Sequence, residues 1–343
     1  MRQFSRRRFF CFMAGAGAAT GVFAALRFGR DQSHAPDAGG SLHAVNRTSW
    51  ALGSDVSLTV LHRDPKTGEA AIDAAFRELE LIEDIMSIYR ANSELSRLNR
   101  YGALDDPHPH FVEVLRSAQA MSRRSGGAFD VTVQPLWSLY SESQKLKRLP
   151  SEDEIATARQ RIGWKQLHIS SSRIRLDGQH SAVTLNGIAQ GYAADRVTSV
   201  LQEHSVAHAL VDTGEISTVG ATTEGNAWRV GIQHPRDREA YVLVAELAGR
   251  CLATSGDYAT TFSDDHTHHH LLDPRTGRSP SDLSSVSVAA NSALEADALS
   301  TAVFVLGAQA GIDLIKQTPG ADALLVLKDG RSFATTGFPI HHA

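Results

Sequence analysis

Strand-like and helical segments do not alternate one for one along this chain. The strands arrive in clusters, and that ordering restricts the fold more than any other feature. DVSLTVLH (55–62) alternates like a half-buried strand, and EAAIDAAFRELELIEDIMSIY (69–89) then places Ile72, Ala75, Phe76, Leu79, Ile82 and Met86 on one helical face. A second helix, near 110–124, stops at Gly126-Gly127, and a third starts at Ser151, where Glu154 completes a capping box. Short strands follow in KQLHIS, RIRL and AVTL, and a glycine-bracketed turn, NGIAQG, leads into a helix over about 192–202. ALVDT, WRVGIQ, AYVLVAEL, the HHHLL segment and SVSVAA form a further strand cluster, before a helix over 293–306 and a final pair, ALLVLKDG and SFATTGF. Hairpin-like clusters separated by helices predict an α+β fold: one domain of mixed and antiparallel sheets with packed helices, not a doubly wound parallel sheet.

The folded part is expected over 49–343, behind a polar linker at 36–48. Residues 1–35 read as a twin-arginine export signal: SRRRFF precedes the uncharged CFMAGAGAATGVFAAL, no acidic residue occurs before Asp31, and SHA (33–35) offers a cleavage site. The alternative is a retained anchor, against which stand the short, Gly/Ala-rich apolar run and the absence of a stop-transfer pattern. Export would place the protein in the periplasm. Residues 1–35 carry six Arg and one Asp, so their removal moves the formal charge from −4 to −9. An acidic protein of this kind is a poor partner for nucleic acid. Cys11 lies within the signal, which leaves Cys251 alone and no intramolecular disulfide to form.

LEADALSTAVFVLG (294–307) is the helix richest in chemistry. Asp297 and Thr301 stand one turn apart on one face, while Ala298, Ala302, Val305 and Leu306 offer surface for burial. A carboxylate and a hydroxyl so placed are hard oxygen ligands suited to magnesium. The plain alternative is an exposed Asp and a Thr bonded back to its own helix. In NGIAQGYAAD (186–195), Gly187 and Gly191 permit close backbone approach and the helix that follows presents N–H groups to a phosphate, although an ordinary tight turn explains the pattern equally well. GGAFDVTVQPLW (126–137) sets Phe129 and Asp130 beyond a double glycine, either as a wall for a flavin or adenine ring or as a core aromatic and a turn carboxylate.

HHHLLDPRTG (268–277) follows a fourth histidine, His266. In an extended segment His268 and His270 share one face and His269 takes the other, so consecutive positions make an awkward metal cage. One imidazole near the helix magnesium would serve as a proton acceptor, with the remaining histidines left at the surface. Arg275, in the turn that follows, could meet a phosphate or carboxylate.

In this order, MSIYRANSELSRLN, GGAFDVTVQPLW, NGIAQGYAAD, ALVDTGE, LATSGDY, HHHLLDPRTG and EADALSTAVFVLG resemble the ApbE family, the FAD:protein FMN transferases, from about Leu52 to Gly307. The twin-arginine pattern and the form of the glycine turn are most similar to its NosX-like members, accessory proteins of nitrous-oxide reduction. The resemblance implies binding of FAD and Mg2+ and transfer of FMN, through a phosphoester, to a threonine or serine of a periplasmic acceptor, with release of AMP. The acceptor would be a NosR-like membrane flavoprotein, and the twin-arginine machinery a further partner.

The resemblance also implies FAD contacts at Leu52, Tyr89, Ala128, Phe129, Asp130, Thr184, Gln190 and Leu271. Magnesium would be held by the Gly187 carbonyl, Asp297 and Thr301, with Ser300 beside them, and His270 would be the base. Thr184 and Gln190 stand where many members carry aspartate and lysine, and a neutral amide supplies no positive charge to a diphosphate. Two other activities share these residues in whole or part: an FAD pyrophosphatase, with water as acceptor, and a metal chaperone built on His266, His268, His269 and His270.

Overall fold

The computed structural model describes residues 41–342, so the export-signal reading of 1–35 and the start of the expected linker lie outside the described residues. Eight strands form the main sheet, β1 (His43–Ala51), β2 (Ser54–His62), β6 (His208–Asp212), β7 (Ile216–Val219), β10 (Cys251–Gly256), β11 (Leu283–Ala290), β12 (Asp322–Leu327) and β13 (Ser332–Ala334), in spatial order β1-β2-β6-β7-β10-β11-β12-β13. Every pairing in it is antiparallel. A small sheet joins β3 (Ala103–Asp105), β4 (Leu167–Ile169) and β5 (Arg173–Leu176), and β8 (Trp228–His234) pairs with β9 (Asp237–Leu247) as a separate hairpin. The expected α+β architecture is present.

Side-chain alternation sorts the main sheet into two faces. Val56, Leu58 and Val60 of β2, Ala209 and Val211 of β6, and Val286 and Val288 of β11 join the large core beneath the helices. Leu61, Leu210 and Ala289 point the other way, into a second core closed by Trp228, Val230 and Ile232 of the hairpin. With helices on one side and the hairpin on the other, β11 is buried along its whole length.

The helices that fill the first face are α1 (Pro65–Met86), α3 (Pro109–Arg124), α6 (Ala189–Glu203) and α7 (Ala293–Leu306). Proline at the first position and the Asp64 side chain, which accepts from Lys66 N–H, start α1 four residues before the apolar periodicity begins. Its predicted face is buried at Ile72, Ala75, Leu79, Ile82 and Met86, with Phe76 at the margin under the Arg47 guanidinium. The smaller helices are α2 (Glu94–Tyr101), α4 (Gln134–Lys145), α5 (Glu152–Arg159), which carries the expected Ser151/Glu154 capping box, and α8 (Ala308–Lys316).

Three expectations are corrected. Residues 43–48, read as linker, belong to β1; this edge strand is exposed over most of its length, so it lacks the apolar alternation that marks a strand. AVTL is no strand, because its backbone bonds go to single groups elsewhere. Asn99 donates to the Val183 carbonyl (2.8 Å) and accepts from Val183 N–H (2.7 Å), while Thr184 N–H donates to the Val131 carbonyl (2.8 Å). HHHLL is likewise part of an irregular loop between β10 and β11, with an isolated bridge from Thr261 to His269.

Removal of the Asn99 amide should therefore leave two backbone groups of fully buried Val183 without partners. At roughly 1–3 kcal/mol for each stranded group, Asn99→Ala is expected to destabilise the fold by about 3 kcal/mol. Urea unfolding would report this as a lower midpoint at unchanged slope; an unmoved midpoint would show the staple to be dispensable.

Candidate active site

Two helices meet where α6 begins. Gly191 is packed so closely on α7 that a β-carbon there would lie 2.2 Å from the Ala293 carbonyl oxygen and 2.7 Å from Asp297 Cβ. Its N–H donates to Asp297 Oδ2 at 3.0 Å. One turn on, Asp195 accepts from Ala293 N–H (2.8 Å) and Leu294 N–H (2.9 Å), fixing the start of α7. Gly187 consequently faces Thr301: a β-carbon on it would come within 2.9 Å of Thr301 Oγ1 and 3.5 Å of Phe129 Cε2. Asp297, Thr301, Gly187 and Phe129 are thus brought together from three separate stretches of chain.

Behind them runs a line of hydroxyls. Ser255 Oγ, at the end of β10, lies 3.1 Å from Thr301 Oγ1 and 2.7 Å from Ser300 Oγ, and the Ser300 hydroxyl also donates to the Asp297 carbonyl (2.9 Å). Ser300 is fully buried, and its oxygen orients Ser255, which in turn meets Thr301. The sequence reading left Ser255 without a role, although it lies within LATSGDY.

Acidic groups dominate the electrostatics. Burial raises the Asp297 carboxyl against the opposing Gly191 hydrogen bond, with the Asp195 charge adding to the rise. Burial and then the Asp297 charge raise Glu215, whose carboxylate accepts from Thr254 N–H at 3.2 Å. Asp212 is pushed up to about 7, mainly by burial. Among the described residues no ion pair reaches Asp297, Glu215 or Asp212. A carboxylate, a hydroxyl and main-chain oxygen without a competing cationic side chain are the donor set a hard divalent ion requires. By contrast, no group of three or more His, Cys, Asp or Glu side chains is disposed for a metal among the described residues.

The other predicted contacts fall into separate patches. Leu52 has φ +54° and Gly53 φ +80°, in the tight turn between β1 and β2. The Gln190 amide lies 3.4 Å from Ser54 Oγ in that hairpin, and it packs so tightly on Gly214 (φ +97°) that a β-carbon there would come within 2.5 Å of it. Ala128, Leu271 and Thr184 are buried, and Tyr89 is 61% exposed just beyond α1. Asp130 has a structural side chain: Oδ1 accepts from the Thr132 N–H (2.8 Å) and hydroxyl (2.6 Å), and Oδ2 from Trp164 N–H (3.0 Å). That carboxylate is occupied in shaping its own turn.

The histidine loop departs most from expectation. His270 has both its backbone N–H (3.0 Å) and ring Nδ1 (3.2 Å) directed at the Thr260 carbonyl, so Nε2 carries the free lone pair. Burial holds this ring below the ordinary histidine value, hence neutral near pH 7. His269, expected at the surface, has no exposed area, and burial pushes it down to about 3. His266 takes a left-handed φ of +57°, which breaks the extended run on which the two-face reading rested.

Two outcomes follow from this packing. Gly191→Ala should force α6 and α7 apart, because the clashing atoms are largely backbone; a loss of about 3 kcal/mol is expected in thermal unfolding, and an unchanged melting temperature would refute the close approach. Carboxyls held protonated toward pH 7 in the fold, but ionised above about pH 4 once unfolded, make the folded state bind more protons in that window. The carboxyl contribution to stability therefore falls as pH rises from about 5 to about 8, opposite in sign to that of the buried neutral His269 and His270 rings; Asp212→Asn should lose less stability than the wild type over this range, and superimposable pH profiles of the unfolding midpoint would contradict it.

Comparison with known proteins bears on the family and the fold. The model of the ApbE family matches residues 52–325. FAD:protein FMN transferase of Salmonella typhimurium is 31% identical over 272 residues, covering 75% of this chain and 77% of the relative, and that of Vibrio cholerae is 32% identical over 287 residues, covering 80% and 84%. Among solved structures, the flavin transferase ApbE from Vibrio cholerae superposes with a TM-score of 0.77 at 27% identity, covering 88% of this chain and 100% of that one. The apo form of the Pseudomonas stutzeri flavinyl transferase ApbE gives 0.74 at 30% identity, covering 86% and 94%. With the family model spanning most of the chain, and the α+β fold shared, this protein belongs to the ApbE family.

Proposed function

We infer that the chain is an FAD:protein FMN transferase, which moves FMN from FAD to a threonine or serine hydroxyl of a flavin-accepting protein and releases AMP. The observation that carries this reading is the meeting of Asp297, Thr301 and the main chain at Gly187 beside the start of α6. Family membership and the names of the relatives support the reaction type. The residues 1–35 pattern supports export by the twin-arginine route to the periplasm, and the NosX-like form of the glycine turn supports a NosR-like acceptor of the nitrous-oxide-reduction system.

Magnesium would be held by Asp297, Thr301 and the Gly187 carbonyl, and when bound it would neutralise charge gathering on the diphosphate. Gly191 N–H fixes the Asp297 carboxylate, and Ser255 fixes the Thr301 hydroxyl. α6 begins without a side-chain cap, and the N-terminal end of a helix favours a phosphate. The Thr260 carbonyl accepts the Nδ1 proton of His270, leaving Nε2 to take the acceptor's hydroxyl proton. The acceptor oxygen then bonds to the FMN phosphorus as the bond from that phosphorus to the AMP oxygen breaks. Gln190 brings no charge, so the diphosphate depends on the ion and on helix N–H groups.

Incubation with FAD, Mg2+ and a candidate periplasmic flavodomain should increase the acceptor's mass by FMN less water. AMP release without that increment would assign FAD hydrolysis instead. Asp297→Ala and Thr301→Ala should abolish transfer, and His270→Ala should lower kcat on the order of 100- to 10,000-fold. Full activity of both metal-site variants in the presence of a chelator would overturn the reading.

A further inference from the structure

The loop between β10 and β11 carries the proposed base, yet it contains no helix or strand to stiffen it. The imidazole next to that base has no exposed area. The His269 ring meets Phe304 of α7 edge to face, with centroids 5.4 Å apart and planes at 86°, and Phe304 is itself fully buried. Nε2 lies 3.1 Å from the Pro280 carbonyl, which fixes the protonated nitrogen, since a carbonyl can only accept. The backbone closes the same clasp: His269 N–H donates to Ser279 Oγ (2.9 Å), and the Ser279 hydroxyl donates to the His269 carbonyl (2.7 Å). Nδ1 has no hydrogen-bond partner. A buried nitrogen left bare disfavours histidine at a position where packing alone matters; the Nε2–H bond is what a phenylalanine could not supply.

α7 bears Asp297 and Thr301, and Phe304 lies about one turn beyond Thr301. A ring seated on Phe304 therefore sets the height of the loop relative to the metal-binding oxygens. The next residue, His270, receives that setting through one peptide unit, and its own ring is then fixed by Thr260.

We propose that His269 is a positioning residue for FMN transfer: docked on Phe304 and tied to Pro280 and Ser279, it holds His270 in register with Asp297 and Thr301. The inference rests on the assignment of His270 as base. His269 touches neither the base's proton nor the flavin; it acts through the backbone.

The test uses the full chain with FAD, Mg2+ and the flavodomain acceptor, and rates are normalised to folded protein measured by thermal melting. His269→Phe keeps a ring against Phe304 but loses the bond to Pro280; kcat should fall roughly 10- to 100-fold, as for other supports of reactive groups, with KM for FAD unchanged. His269→Gln, whose amide can reach the Pro280 carbonyl, should restore most of the rate. Wild-type kcat in His269→Phe, a loss confined to KM, a loss that vanishes on normalisation, or no recovery in His269→Gln would each overturn the proposal. A fully active His270→Ala would instead refute the base assignment, whereas an inactive His270→Ala beside a wild-type His269→Phe would refute only the positioning role.

Discussion

Contact between the first turn of α6 and the first two turns of α7 is the constraint on which the site depends. Only the absence of a side chain at Gly191 lets the helices approach to where its N–H meets the Asp297 carboxylate, and Asp195 then closes the start of α7. These are a steric and a hydrogen-bonding demand on the same turn. Together they bring Gly187 to Thr301 without any direct bond between the two. The oxygens of the proposed metal site are thereby placed on a rigid crossing of helices, where geometry is held more closely than on a loop.

α7 serves both halves of the proposed chemistry. Its first two turns face α6 through Asp297, and its third packs, through Phe304, against the loop that carries His270. Between them the Ser300, Ser255 and Thr301 hydroxyls connect the helix to the end of β10, the strand from which that loop departs. The oxygens proposed to hold a metal and the proposed base are therefore referred to one element, whose buried surface is almost entirely apolar or hydroxylic.

Much of this was legible in the amino-acid sequence, for reasons that differ by element. The 293–306 helix was readable because Ser292, Glu295 and Gly307 mark its ends and because Asp297 and Thr301 share a face at helical spacing. Their meeting with Gly187 came only as an implication of the family resemblance, since no local pattern tells which distant turn a helix will touch. β1 was missed because an edge strand with exposed side chains has no alternation to read. Asp130 does the turn carboxylate's job that the sequence offers as one of its two readings, but the Trp164 N–H that it also accepts arrives from a distant stretch that no local pattern announces. His269 was misplaced because strand periodicity was applied to a loop; its burial is decided by Phe304, Ser279 and Pro280, none of them adjacent in sequence.

The turn between β1 and β2 holds Leu52 in a left-handed backbone conformation that a side chain with a β-carbon adopts at an energetic disadvantage of about 1 kcal/mol. Glycine or asparagine would relax that conformation. Leucine at this corner thus marks a place where the protein is less robust than its backbone allows, and where the aim of one apolar side chain, in the hairpin that Gln190 touches, is what a more durable variant would forfeit.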